Sequence, residues 1–150
     1  MNEAQEFIRA FESSIAGMNG STELYIAPPA PYLAALAHKS TTRLGWASQQ
    51  CSAFGMGAHT GEYTAQMLKS TGIEAVLIGH SERRESFGES DEVVQQKVAQ
   101  ANQAGLRIFL CCGETLEQRE NGNPEKVIFA QLDSAMQGME NPSNFVVVVN

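Results

Sequence analysis

The sequence is poor in basic residues. Ten Lys and Arg stand against seventeen Asp and Glu in 150 residues, which gives a formal net charge of −7. This balance provides no basic stripe for a phosphate backbone, so we expect no nucleic acid partner. Small anionic substrates remain open, because local backbone amides bind phosphate whatever the net charge of the chain.

Long apolar runs are also missing. Residues 1–11 alternate polar and apolar side chains at helical spacing, which fits neither a secretion signal nor a membrane span. The three cysteines, Cys51, Cys111 and Cys112, are odd in number and two of them are adjacent, so they do not form a disulfide framework. We therefore expect a cytoplasmic protein with reduced thiols and no membrane association.

Familiar site motifs are absent as well. The sequence contains no Cys-x-x-Cys pair and no His-Glu-x-x-His helix, and adjacent cysteines in a strand point to opposite faces of the sheet. We therefore expect no metal site and no cofactor. The sequence also lacks a Gly-x-Ser-x-Gly elbow, a Walker loop and a Gly-x-Gly-x-x-Gly turn, which argues against hydrolase, NTPase and dehydrogenase functions.

What the sequence does contain is a regular alternation of short apolar runs and amphipathic stretches. This pattern is typical of successive β-α units and predicts an α/β fold with a parallel sheet in one domain. Strands are predicted at 24–27, 43–48, 75–79, 107–112 and 145–149. Helices are predicted at 2–16, around 31–37, at 62–70, from Ser90 to Gly105 and at 124–136. The charged segment after 79 is interpreted as a turn, and the four valines of the last strand are typical of a buried strand.

Active sites of parallel α/β proteins gather at the carboxyl ends of the strands. The polar residues that follow the predicted strands are Gln49, Gln50, His80, Ser81, Glu82, Cys111 and Glu114. His80 stands out, because backbone amides at the start of a helical turn lower the basicity of an imidazole and keep it neutral. A neutral ring can still donate a hydrogen bond to a carbonyl oxygen and stabilise developing negative charge. From its position alone, His80 is equally well explained as a turn cap.

The neighbouring polar residues have simpler explanations. Glu82 and Arg83 could form a surface ion pair or turn contacts, and Ser81 could be a helix cap. His38, on a predicted helix, is interpreted as solvated. His59, in the Gly-rich loop 54–61, is interpreted as a packing or interface residue.

The amino-acid sequences of the motifs are more specific than their positions. Gly79-His80-Ser81-Glu82-Arg83-Arg84 is followed by Phe87-Gly88-Glu89-Ser90-Asp91, and the other stretches are Gly57-Ala58-His59-Thr60-Gly61-Glu62, Cys111-Cys112-Gly113-Glu114 with Arg119-Glu120, and Ala27-Pro28-Pro29. In this order, and over nearly all 150 residues, they resemble the triosephosphate isomerase family.

The resemblance implies a partial (β/α)8 TIM barrel, from about helix 1 through strand 6, as a single incomplete domain over residues 1–150. It implies the interconversion of dihydroxyacetone phosphate and glyceraldehyde 3-phosphate by proton transfer through an enediolate, in glycolysis and gluconeogenesis, without a cofactor. His80 would be the catalytic electrophile, supported by Ser81 and Glu82. Thr60 would reach into a partner subunit from a loop that includes Gly61 and Glu62, which implies a homodimer. Cys111 would be a packing residue.

The sequence departs from the family at several places. Gln49-Gln50 stands where the family has Gln-Asn. A complete barrel needs about 250 residues, and the strand with the substrate-binding lysine and the catalytic glutamate are expected outside this chain. We therefore expect the chain alone to be inactive. The alternative function is a non-catalytic truncated barrel that binds an intact subunit.

Overall fold

The computed structural model describes residues 1–17, 21–37, 44–139 and 144–149. The strands are β1 (Leu24–Ile26), β2 (Leu44–Ser48), β3 (Ala75–Ile78), β4 (Arg107–Cys112) and β5 (Phe145–Val149). The helices are α1 (Asn2–Ile15), α2 (Ala30–Ala37), α3 (Ala65–Ser70), α4 (Ser81–Phe87), α5 (Asp91–Gln103), α6 (Leu116–Glu120) and α7 (Pro124–Met136). His38 and Arg43, for which a helix and a strand start were predicted, lie outside the described residues.

The five strands form one parallel sheet whose order in space is their order along the chain. The sheet is curled into a half-barrel with helices between its strands, which confirms the predicted α/β class and partial barrel. Parallel pairing places all carboxyl ends at one edge. Ile78 pairs with Leu110, and Cys112 pairs with Val149, so the segments that follow β3 and β4 emerge side by side.

The core lies between the sheet and the helices that cover its outer face. Val76 of β3 and Ile108 of β4 are fully buried, and they belong to one apolar cluster with Val94 and Val98 of α5. Successive side chains of a strand alternate between faces, so Leu77 and Phe109 point to the other face, the inside of the curl. The helices thus hold the outer face of the sheet and leave the inner face for a site.

Burial differs between the middle and the outer strands. Every residue of β1 is only half-buried, and in β5 Val147 and Val149 are 46% and 60% exposed. The prediction of a strand at 145–149 is confirmed, but the buried character inferred from its four valines is wrong. Within the described ranges β5 pairs only with β4, so no described strand hydrogen-bonds to its other edge.

The segment after β3 was predicted as a charged turn and is instead the helix α4. His80 is its N-cap, and Gly88 ends it in the left-handed conformation. None of the seven residues of α4 is buried, so it lacks the apolar periodicity from which helices are inferred. The short helix α6 was missed for the same reason, although Thr115 and Gln118 form a capping box.

The start predicted for the third helix was also wrong. The helix begins at Ala65 rather than at Glu62, because the Thr64 side chain accepts a hydrogen bond from the Met67 amide and caps it. Among the described helices, none is both long enough and apolar enough to cross a membrane.

Candidate functional site

His80 stands at the junction between β3 and α4, on the edge where the strands end. Its Nδ1 accepts a hydrogen bond from the Glu82 backbone amide at 3.3 Å. An imidazole nitrogen that accepts a hydrogen bond carries no proton, so the neutral ring holds its proton on Nε2. In the described part of the chain Nε2–H has no hydrogen-bond partner, so it is the group that His80 can present to a ligand.

Two cavities meet at this imidazole. The first cavity, of about 300 Å³, lies on the inner face of the sheet and is lined by Tyr25, Ala27, Ala47, Leu77, His80, Phe109, Cys111 and Val148. The second cavity, of about 420 Å³, is lined by Ala27, Ala30, Gln49, Gln50, Tyr63, Leu77, His80, Glu82, Arg83 and Phe87. The first cavity has apolar walls with a few polar groups, which is typical of small-molecule sites of this size, whereas most residues that line the second cavity are polar.

The backbone before His80 requires a glycine. Gly79 has a φ of +79°, and a Cβ atom at this residue would lie 2.9 Å from the carbonyl oxygen of Cys111. A side chain would meet both a left-handed conformation and a backbone atom of the neighbouring strand. Gly79 therefore allows the end of β3 to approach β4 closely and brings His80 over the inner face of the sheet.

Ser81 and Glu82 occupy the first two positions of α4, next to His80. The Glu82 side chain is largely exposed, and its Oε2 lies 3.9 Å from His80 Nδ1. Because Nδ1 already accepts from the Glu82 amide, this contact is an ion pair only when the ring is protonated. Of the two simple explanations for Glu82 and Arg83, the turn contacts are confirmed, because the amides of both residues bond to His80. The ion pair between them is not formed, since the Arg83 side chain bonds to Glu89.

Below α4 lies a buried ionic cluster that the sequence analysis missed. Glu89 Oε1 accepts from Arg83 Nε and from Lys97 Nζ, both at 2.5 Å, and Lys97 also donates to Gln50 at 2.8 Å. Burial raises the pKa of Glu89, but the hydrogen bonds from Lys97 and Arg83 outweigh it and hold the pKa below its ordinary value. A signal was present in the sequence, because Lys97 falls on the apolar face of α5 that Val94 also occupies.

The two glutamines after β2 bind different parts of the fold. Gln49 donates from Nε2 to the Ala27 carbonyl at 3.0 Å and so links the ends of β1 and β2. Gln50 Oε1 accepts a hydrogen bond from the buried Lys97 ammonium. Both glutamines line the second cavity.

The loop 54–62, predicted to carry the interface residues, is a separate surface feature. Thr60, Gly61 and Glu62 are exposed, and no hydrogen bond or ion pair joins them to His80 in the described part of the chain. The rings of Phe54 and His59 stack with their centroids 4.5 Å apart. The stack and the hydrogen bond from the Glu62 amide to the His59 carbonyl give the loop an internal structure.

The cysteines are buried thiols. Burial raises the pKa of Cys51 to about 12 and also raises the pKa values of Cys111 and Cys112. A thiol with a raised pKa is a poor nucleophile at neutral pH. Glu114 follows β4, and a hydrogen bond from its own backbone together with the Arg119 guanidinium hold its pKa below the ordinary value.

Comparison with known proteins places the chain in a family. The family model described as triosephosphate isomerase matches residues 1–150. The chain is 45% identical over 148 residues to the triosephosphate isomerase of Symbiobacterium thermophilum, covering 97% of this chain and 57% of that protein. It is 40% identical over 139 residues to that of Alcanivorax borkumensis, covering 93% and 56%.

A third relative gives the same result. The triosephosphate isomerase of Bradyrhizobium sp. (strain ORS 278) is 41% identical over 154 residues, covering 98% of this chain and 61% of that protein. The chain thus spans 56–61% of the length of these curated relatives. The match to the family model extends over the whole chain, so the chain belongs to the triosephosphate isomerase family.

Proposed function

We propose that the chain supplies the electrophilic side of an active site that interconverts dihydroxyacetone phosphate and glyceraldehyde 3-phosphate. The observation that carries this proposal is the hydrogen bond from the Glu82 amide to His80 Nδ1, which leaves Nε2–H to face the cavities. A donor at this place hydrogen-bonds the substrate carbonyl oxygen and stabilises the negative charge that develops on it.

The proposed reaction moves one proton between two neighbouring carbons. A carboxylate base removes the proton from the carbon next to the carbonyl, while the electron pair of the broken C–H bond forms the enediolate. His80 transfers a proton between the two oxygens, and the base returns its proton to the other carbon. Ser81 and Glu82 support the imidazole by forming the first turn of α4. The base and the phosphate-binding lysine are proposed to come from outside this chain.

For the 150-residue chain alone we propose no detectable isomerase activity. The carboxylate in contact with His80 is that of Glu82, and it lies on the Nδ1 side of the ring, away from Nε2. A general base is typically worth a factor on the order of 10² to 10⁴ in rate. As a prediction that follows from the family, the whole enzyme works in the cytoplasm, in glycolysis and gluconeogenesis.

We further propose that the functional form is a homodimer joined through the loop 54–62. Phe54 and Met56 are exposed in this loop, beside Thr60 and Glu62. Exposed aromatic and methionine side chains on a structured loop are typical of interface anchors. The second cavity, which His80 lines, is proposed to receive the tip of the partner's loop at Thr60.

A chimera tests the catalytic proposal. Residues 1–150 replace the matching segment of the Symbiobacterium thermophilum enzyme, and the conversion of glyceraldehyde 3-phosphate is measured with and without His80→Gln. We expect an active chimera whose kcat falls by about 10²- to 10³-fold in the variant. The matched control is His38→Gln, at a histidine that is interpreted from the sequence as solvated, and this variant should retain the activity.

Two outcomes would overturn the proposal. One is a chimera that unfolds cooperatively and yet shows no isomerase activity, and the other is an active chimera that is indifferent to His80→Gln. The alternative function, a non-catalytic partner of an intact subunit, is favoured by the exposed valines of β5. It predicts that the 150-residue chain co-elutes with the intact enzyme in size-exclusion chromatography and that the active-site substitution has no effect on this binding.

A further inference from the structure

We infer that Arg84, held in place by Asp91, is the positioning residue that fixes the direction of the His80 imidazole. The inference rests on the catalytic role proposed above for His80. It concerns the geometry of one backbone segment, and it can be tested without any measurement of turnover.

Arg84 holds both peptide groups that flank His80. Its side-chain Nε donates to the Gly79 carbonyl at 2.9 Å, and its backbone amide donates to the His80 carbonyl at 3.2 Å. The Gly79 carbonyl belongs to the peptide before His80, and the His80 carbonyl belongs to the peptide after it. The His80 carbonyl also accepts from the Arg83 amide at 2.9 Å. These backbone bonds persist with any side chain at residue 84, so the restraint that depends on the arginine is the Nε bond to the Gly79 carbonyl.

The guanidinium is itself anchored at its far end. Arg84 Nη1 donates to Asp91 Oδ1 at 2.6 Å, and Asp91 is the first residue of α5, directly after the Ser90 N-cap. The Arg84 side chain is only 17% exposed. Since α5 packs on the sheet through Val94 and Val98, Arg84 and Asp91 connect the Gly79 carbonyl to the core of the fold.

Close packing reinforces these bonds. Arg84 Nη2 is buried and has no hydrogen-bond partner among the described residues. It would lie 3.3 Å from a Cβ atom on Gly79, so the guanidinium packs directly against this peptide. A lysine at this position would provide a single point donor and could not bond the Gly79 carbonyl and Asp91 in the same planar geometry.

The expected consequence of losing Arg84 is a misplaced imidazole. Without the Nε donor the Gly79–His80 peptide can rotate, and Nε2–H no longer points reproducibly into the first cavity. Misplacement of a reacting group by about 1 Å can cost on the order of 10²-fold in rate. In the chimera, Arg84→Met should therefore lower kcat by about that factor while KM changes little.

The decisive readout is the NMR signal of the imidazole in the 150-residue chain. The chain contains three histidines, so the ¹H–¹³C ε1 signal of His80 is assigned by its loss in His80→Gln. We expect Arg84→Met to displace or broaden this signal, Arg84→Lys not to restore it, and Asp91→Asn to displace it less. The matched control is Arg119→Met, which removes an exposed guanidinium that bonds to Glu114 and lines neither cavity, and it should leave the signal in place.

Chemical rescue separates positioning from general support of the fold. In Arg84→Ala, millimolar guanidinium chloride should return the His80 signal toward its original position, while sodium chloride at the same concentration should not. An unchanged His80 signal in Arg84→Met, even with a lowered melting temperature, would overturn the inference. Equal displacement by Arg119→Met would overturn it as well.

The two proposals fail in different ways. If the Arg84 variants do not fold, the His80 signal of Asp91→Asn tests the positioning instead. The Asp91 side chain is more exposed than that of Arg84, and the substitution keeps its size. A displaced signal together with a chimera indifferent to His80→Gln would contradict the catalytic role and leave the positioning intact. An undisplaced signal in a chimera that needs His80 would contradict the positioning alone.

Discussion

The middle and the outer strands of this sheet have similar sequences and different surroundings. β3 and β4 are apolar runs whose outward side chains are buried under α5, whereas β1 and β5 are apolar runs that are only partly covered. His80, Gly79 and the ionic cluster of Glu89 all belong to the middle region. The comparison shows that burial of a strand is a property of its neighbours, and that the candidate site is attached to the best-packed part of the fold.

The largest effect is expected from Glu89→Ala in the middle region. This change leaves the Lys97 ammonium, 5% exposed, without its carboxylate, and the free energy of unfolding should fall by about 3–5 kcal/mol. The control Glu23→Ala breaks the exposed pair with Arg107 and should cost at most about 1 kcal/mol. Denaturant unfolding measures both, and equal losses would erase the difference between the two regions.

A smaller loss is expected from Gly79→Ala. An alanine here would have to adopt a left-handed φ, and its methyl group would lie 2.9 Å from the Cys111 carbonyl oxygen. We therefore expect the free energy of unfolding to fall by about 3 kcal/mol. Gly138 follows α7 on the approach to β5, and its φ is +80° with open space around the Cβ position. Gly138→Ala should therefore cost only the conformational part, about 1 kcal/mol. A larger loss at Gly138 than at Gly79 in thermal unfolding would contradict this ranking.

Truncation of single valines sharpens the same comparison. Val76 in β3 is fully buried, while Val147 in β5 is nearly half exposed. Val76→Ala should lower the free energy of unfolding by about 2 kcal/mol, because it removes buried methyl groups and leaves a cavity. For Val147→Ala we expect less than about 1 kcal/mol. If the two variants had equal denaturation midpoints, β5 would be as well covered in solution as β3.

The smallest effect is a difference in pH dependence. The folded-state pKa of Glu89 lies below its ordinary value of 4.5, so its carboxylate stabilises the folded state at neutral pH. This contribution is lost as the pH falls below about 4.5 and through the folded-state pKa. Between pH 7 and pH 3 the stability of Glu89→Gln should decline less steeply than that of the original chain. The exposed control Glu125→Gln should keep the original slope.

The sequence predicted the sheet well because, in parallel β-α units, short apolar strands alternate with amphipathic helices, and the two have different hydrophobic periods. The strands 107–112 and 145–149 and the helix 124–136 have the predicted bounds at both ends. The N-cap Ser90 was predicted correctly too, since a Ser followed by Asp91 and Glu92 has the local chemistry of a helix start. Local patterns were sufficient wherever the element buries one face or caps itself.

The contacts that complete the candidate site could not be predicted in this way. His80 was found because strand ends are where sites gather, but the proton on Nε2 follows only from the Glu82 amide contact. The Glu89 and Lys97 pair depends on how α4 packs on α5. Likewise, the bond between Arg84 and the Gly79 carbonyl requires α4 to be a helix, which its polar sequence did not reveal.

The spatial order of the strands also has a consequence for synthesis on the ribosome. Because each strand pairs with the one made just before it, every new β-α unit finds its docking edge already formed and still open. The five described strands can therefore pair in the order in which they are translated. A pause in translation between β3 and β4 would leave α4 and His80 without the strand whose carbonyl Gly79 approaches.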